Sequence, residues 1–116
     1  MPNTRARGLA AEDRACTYLQ ARGLKLLQRN YRLRSGEIDL IMRDDTHLVF
    51  VEVRYRNSKR YGGALQSVDF RKQQRIMRTA QHFLLYNPYD LPVRFDVIAL
   101  EGQELRWIQH AFEVEL

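Results

Sequence analysis

Residues 36–54 hold two apolar runs, and each run carries a carboxylate inside it. The first reads G-E-I-D-L-I-M-R, the second reads L-V-F-V-E-V-R, and the polar D-D-T-H at 44–47 lies between them. Two such runs joined by a short polar break predict a hairpin of two strands. Leu48, Val49, Phe50, Val51 and Val53 are apolar on both sides of the alternation, as in a strand covered on both faces. Side chains alternate along a strand, so Glu37, Asp39 and Ile41 are expected to share a face, and Phe50, Glu52 and Arg54 another. Asp and Glu are rarely buried unless paired or bound to a metal. A fold that buries this hairpin must therefore give Asp39 and Glu52 a partner.

The flanking segments complete one domain, residues 1–116. Residues 5–22 are expected to form a helix, with Leu9, Glu12, Cys16 and Leu19 on one stripe and Gly23 as its stop. Glu12 thus becomes a third acid aimed at the core. Residues 24–34 read as a strand, and Ser35-Gly36 turn it into the hairpin, giving an antiparallel meander. Residues 57–66, with Gly62-Gly63, read as a loop that is mobile without ligand. Ser67 is the expected N-cap of a helix over 68–86, which Asn87-Pro88 ends. Its core stripe is Val68, Ile76, Ala80, Phe83 and Leu84, with Arg71, Arg75 and Arg78 on the other side. Residues 92–100 read as a strand parallel to the third, reached by a right-handed crossover, and 104–110 as a last strand. Asp96 is expected to pair with Arg94 or with an arginine of the helix.

A chain of 116 residues has room for one core. No apolar run approaches membrane-span length, and the N-terminus has no hydrophobic leader segment. Cys16 stands alone, which excludes an internal disulfide and a thiolate metal cluster, so a reducing cytoplasm is expected. The net charge of +5 is uneven. Between residues 54 and 78 lie eight basic residues and a single acid, Asp69, whereas from Glu101 onward four Glu face one Arg. A basic patch beside tyrosines is the footprint of a polyanion site, against the simpler reading of a solvated helix face and a basic loop. The candidate nucleic-acid contacts are Arg56, Lys59, Arg60, Tyr61, Arg71, Lys72, Arg75 and Arg78.

The three histidines are scattered, and neither a phosphate-cradling glycine motif nor a Ser-His-Asp arrangement is present. The remaining constellation is Glu12, Asp39 and Glu52, with Arg54 two residues past Glu52. All-oxygen donors favour Mg²⁺ or Mn²⁺. Such an ion beside a basic surface suits phosphodiester hydrolysis, and Arg54 is placed to stabilise charge on phosphorus.

Asp39 followed by Glu52-Val53-Arg54 resembles the D…E-x-K signature of restriction-endonuclease-like nucleases. G-E-I-D-L-I at 36–41 with F-V-E-V-R at 50–54 is similar to archaeal Holliday-junction resolvases. Almost end to end, the chain resembles the YraN-like family of uncharacterised bacterial proteins. The matching stretches are A-A-E-D-R-A at 10–15, R-N-Y-R at 29–32, F-V-E-V-R-Y-R at 50–56, the Lys72 helix and R-F-D-V-I at 94–98. The resemblance implies an α/β fold with a restriction-endonuclease-like α-β-β-β-α-β core, a mixed sheet flanked by helices. It implies Glu12, Asp39 and Glu52 as metal ligands, with the backbone carbonyl of Val53 as a further one. The departure is Arg54. A lysine at that position can lose its proton and act as a base, whereas arginine stays charged. Lys72 is a substitute base without support from spacing. The Gln and Tyr that some RecB-like nucleases carry on the following helix are not matched, because Gln73 is followed four residues later by Met77.

Three functions stay open at this level. One is a Mg- or Mn-dependent nuclease acting on DNA, branched or damaged. The second is a non-catalytic nucleic-acid-binding domain of nuclease descent. The third is an adaptor in which Asp39, Glu52 and Arg54 form a structural ion network. A homodimer would suit two-fold substrates.

Overall fold

The computed structural model describes residues 4–56 and 68–113, the side chains of 4–7 and 56 excepted. The elements in chain order are α1 (Thr4–Gln20), β1 (Lys25–Leu33), β2 (Gly36–Arg43), β3 (Leu48–Arg56), α2 (Phe70–Tyr86), β4 (Val93–Glu101) and β5 (Glu104–Ile108). The strands form one five-stranded sheet in the order β1-β2-β3-β4-β5. The pairs β1/β2, β2/β3 and β4/β5 are antiparallel; β3/β4 is parallel, joined through α2. This mixed sheet between helices is the α-β-β-β-α-β core that the resemblance implies.

Gly23 stops α1 as expected, and the geometry says why. It adopts φ 94°, and the paired bonds Leu24 N–H to Leu19 O (3.1 Å) and Gly23 N–H to Gln20 O (3.1 Å) close the helix end. Leu24 then folds back into the core beside Leu19. One expected contact differs. Leu9 is 45% exposed, and Ala11 and Ala15 take the buried stripe with Cys16 and Leu19. Small side chains let the helix lie close on the sheet, so the stripe centres on the alanines and Glu12 moves to its flank.

The sheet is apolar on both sides. Leu40, Met42, Val49, Val51, Val53, Ile98 and Leu100 pack with α1, whereas Ile38, Ile41, Leu48, Phe50 and Phe95 pack with Ile76, Ala80 and Phe83 of α2. β3 is therefore covered twice, as its apolar run predicts. The hairpin loop 44–47 is tied by Asp44, whose Oδ1 accepts from the N–H groups of Thr46 and His47, both at 2.8 Å.

Three local expectations are corrected. The N-cap of α2 is Asp69, whose Oδ1 accepts the Lys72 N–H at 2.9 Å, and the helix begins at Phe70; Ser67 lies outside the described residues. The last strand ends at Ile108 rather than at residue 110. In β2, Ile38 and Ile41 both pack against α2, so Glu37, Asp39 and Ile41 do not keep a single face. The alternation breaks where support changes: β2 pairs with β3 only from Leu40↔Val51 onward, and β1 opposite holds Asn30 at φ 53°. A strand that has lost one neighbour is free to twist, and the site is built at that point.

Candidate functional site

β2 and β3 part at Asp39. Beyond the last paired residues, the Val53 N–H donates to Asp39 Oδ2 at 2.8 Å, so a side chain takes over from the ladder. In a strand the N–H and C=O of one residue point toward the same neighbour, so the Val53 carbonyl also faces this gap. Glu52 is 4% exposed and lines the same cleft as Asp39, whose charge acts on it. A buried carboxylate beside a half-buried one resists ionisation. Burial pushes Asp39 up to about 6, against the Val53 N–H, which favours the charged form. Burial and then the Asp39 charge raise Glu52 well above the usual carboxylate range.

On one side of Asp39 lies a cleft of about 280 Å³ whose walls include Gly36, Glu52, Val53, Arg54, Lys72 and Arg75. α2 reaches this cleft because Gly36 has no side chain. A Cβ there would stand 3.0 Å from Thr79 Oγ1 and 3.3 Å from both Cβ and the carbonyl oxygen of Arg75. Arg54 Nη2 is 3.3 Å from Glu52 Oε2, yet Arg54 Nε and Nη2 are buried with no hydrogen-bond acceptor among the described residues. The guanidinium is thus near a carboxylate but not satisfied by it.

Asp39 and Glu37 also line a second cleft, together with Glu12, Asn30 and Arg32. Carboxylate oxygens of Glu12, Glu37 and Asp39 lie within 4.8 Å of one another. Glu12 Oε1 is buried without a hydrogen-bond donor among the described residues and stands 3.6 Å from Arg29 Nη2. Burial raises the Glu12 pKa, which the Asn30 side chain and the Arg29 charge partly offset. Glu37 pairs with Arg32 at 3.3 Å.

The sequence-predicted residues separate into groups. Asp39, Glu52, Val53 and Arg54 meet in the first cleft, and Lys72 and Arg75 join them from α2. Glu12 meets Asp39 and Glu37 in the second cleft. Arg71 and Arg78 are exposed on α2. The Arg56 side chain and Lys59, Arg60 and Tyr61 lie outside the described residues, as does the loop expected to be mobile. Sequence reasoning passed over Glu37, although its two-residue spacing from Asp39 was a usable signal. It also passed over Asn30 and Arg29, which sit beside Glu12 by tertiary folding and leave no local signature.

Asp96 is a useful contrast. It is 1% exposed and saturated: Arg94 Nε (2.9 Å) and Nη2 (3.0 Å), Trp107 Nε1 (2.9 Å) and His110 N–H (3.1 Å) all donate to it. The expected pairing with Arg94 holds. Buried polar groups that only stabilise a fold are satisfied in this way; Glu12 Oε1 and the Arg54 guanidinium are not.

Among the described residues no helix is long and apolar enough to cross a membrane. Sequence comparison gives a consistent answer. The profile of the uncharacterised protein family UPF0102 matches residues 11–100. A UPF0102 protein of Dechloromonas aromatica is 50% identical over 112 residues, covering 97% of this chain and 92% of its own length. One from Ralstonia nicotianae is 52% identical over 119 residues, covering 98% and 92%. One from Paracidovorax citrulli is 54% identical over 114 residues, covering 95% and 84%.

Proposed function

The chain belongs to the uncharacterised protein family UPF0102, the YraN-like family that its motifs resemble, and we propose that it is a Mg- or Mn-dependent nuclease hydrolysing phosphodiester bonds in DNA, branched or damaged. The observation that carries this reading is the unsatisfied pair of groups in one cleft. Clustered carboxylates with raised pKa values call for a cation, and a guanidinium with two buried donors unpartnered among the described residues calls for an anion. A phosphodiester with its metal ion supplies both. The saturated Asp96 network argues against a purely structural role for Asp39, Glu52 and Arg54.

The carboxylates of Asp39 and Glu52 and the Val53 carbonyl would hold a hard divalent ion in the first cleft, and Glu12 and Glu37 offer carboxylate oxygens within 4.8 Å of one of Asp39. When bound, such an ion lowers the pKa of a coordinated water and polarises a phosphoryl oxygen. The chain's own groups do the rest. The Val53 N–H fixes the orientation of Asp39. Arg54 donates to a non-bridging phosphate oxygen and stabilises the charge that grows there in the transition state. Arg54 serves by its fixed charge and its planar donors, so it orients and neutralises without moving a proton. Lys72 and Arg75 hold flanking phosphates on the opposite wall. In this reading the protein works on DNA in the bacterial cytoplasm, and two-fold branched DNA would engage two copies of it.

The test is cleavage of labelled duplex, single-stranded, flap and four-way-junction DNA with Mg²⁺ or Mn²⁺. Wild type runs beside Asp39→Asn and Glu52→Gln. Metal-dependent products from wild type alone support the nuclease. Salt-sensitive binding without products reduces the protein to a nucleic-acid-binding domain, with Arg54 as the reason. Neither products nor binding removes the DNA reading.

A further inference from the structure

α2 carries more than one wall of the cleft. Arg71, Arg75, Arg78, His82 and Tyr86 recur at steps of four, three, four and four residues, so all five lie along one side of the helix. This side is flanked by, and distinct from, the buried stripe of Ile76, Thr79, Ala80 and Phe83. Its length from Arg71 to Tyr86 is about 22 Å at 1.5 Å per residue. All five residues are exposed. The helix contains no Asp or Glu, and none of the three arginines makes an ion pair among the described residues.

The stripe changes character along its length. It is cationic beside the cleft, which Arg75 lines, and aromatic at the far end. There Tyr31 of β1 hydrogen-bonds His82 Nδ1 through its hydroxyl at 2.5 Å, which fixes the imidazole. The Tyr86 ring packs on His82 at 4.9 Å between centroids and remains 69% exposed. Cations in a row followed by a held, exposed ring are the two parts of a single-strand site: phosphates track along the charges and a base stacks on the ring. A duplex keeps its bases stacked on one another, so it offers Tyr86 no free π-face.

We propose that this side of α2 is a track for single-stranded nucleic acid, with phosphates along Arg71, Arg75 and Arg78 and an unpaired base stacked on Tyr86. The inference rests on the nuclease reading for what happens in the cleft, and it names the substrate class: a strand that is unpaired next to the bond cut.

Binding is measured by fluorescence anisotropy of the full chain in EDTA, so no cleavage intervenes. The probes are a labelled twelve-nucleotide oligo-dT, the matching oligo-U, an abasic oligomer of equal length and a duplex. Tyr86→Ala should weaken oligo-dT binding about tenfold, as expected for loss of one stacked base. It should leave abasic binding unchanged, and Tyr86→Phe should bind like wild type. Replacing Arg71, Arg75 and Arg78 by Gln should flatten the log–log salt dependence by about 2, near 0.7 per phosphate contact. Tighter binding of oligo-dT or of oligo-U identifies the sugar. Duplex bound more tightly than either single strand overturns the track. So does an Ala variant that is unaffected, or one that weakens the abasic probe equally. The two readings fail separately. Stacking-dependent binding without cleavage in Mn²⁺ removes the nuclease and leaves the track, and cleavage with no Tyr86 effect does the reverse.

Discussion

The Asp39 carboxylate accepts the Val53 N–H at 2.8 Å where the ladder between β2 and β3 has ended. One bond thereby holds the fork open and aims an acid into it. The same bond accounts for how Asp39 and Glu52 come to face each other at low exposure.

Desolvation of Asp39 makes the metal-free protein sensitive to pH. Asp39 has its folded pKa raised from 3.8 to about 6, so the folded state holds the proton more tightly than the unfolded state. The contribution to stability is then greatest below the unfolded value and declines as pH rises through about 6. Relative to Asp39→Asn, wild type in EDTA should lose on the order of 2 kcal/mol between pH 4 and pH 8. The neutral variant should be as stable as wild type or more so at pH 8, since Asn still offers an oxygen to Val53. Urea denaturation at several pH values checks this. A marked loss of stability in Asp39→Asn at pH 8 would support an ion network instead.

Divalent ions should reverse that penalty. Adding millimolar Mn²⁺ at pH 7.5 should raise the Tm of wild type by a few degrees, about 1 kcal/mol or more for an ion well above its Kd. Asp39→Asn and Glu52→Gln should respond much less. Differential scanning calorimetry with and without EDTA reads the result, and equal shifts in all three proteins would exclude this cluster as the ion site.

Arg54 separates phosphate binding from proton transfer. Arg54→Gln should lower cleavage about 100-fold, the scale of losing one well-placed donor to a developing oxyanion. Arg54→Lys should retain activity or exceed wild type, because lysine keeps the charge and is able to lose a proton. Single-turnover rates across pH 6–9 distinguish the two roles: a new pH dependence in the Lys variant alone would identify proton transfer.

Gly36 permits the close approach of α2. Gly36→Ala sets a methyl 3.0 Å from Thr79 Oγ1 and 3.3 Å from the Arg75 backbone. The helix must shift, at a cost of about 1–3 kcal/mol. Chemical denaturation should register that loss, and nucleic-acid affinity should fall with it because Arg75 moves.

Asp96 should behave in the opposite way from Asp39. Asp96→Ala leaves the Arg94 guanidinium buried without its counter-ion, which costs about 3–5 kcal/mol. Affinity for DNA, measured on whatever fraction is folded, should not change. A stable Asp96→Ala protein would mean that Trp107 and His110 need no such anchor.

The order of elements was legible in the chain because each depends on local periodicity. The doubly apolar β3, the Gly23 stop and the pairing of Asp96 with Arg94 two residues away are near-neighbour effects. The spacing of Asp39 and Glu52 already carried the acids, since charges within apolar runs are conspicuous wherever the chain goes. By contrast, the place of Leu9 depended on how close α1 lies to the sheet, and the face of Ile41 on where β3 stops pairing.

Sequence alone therefore determined which strand runs are buried and which acids would need a partner, because hydrophobic alternation and the cost of desolvating a charge act at each position separately. Only the tertiary structure decided how those partners are distributed. Glu12 meets Asp39 and Glu37 in one cleft, while Glu52, Arg54, Lys72 and Arg75 meet the same two acids in the other. That division follows from strand twist at the fork and from the helix contact at Gly36, both of which are distances between segments remote in the chain.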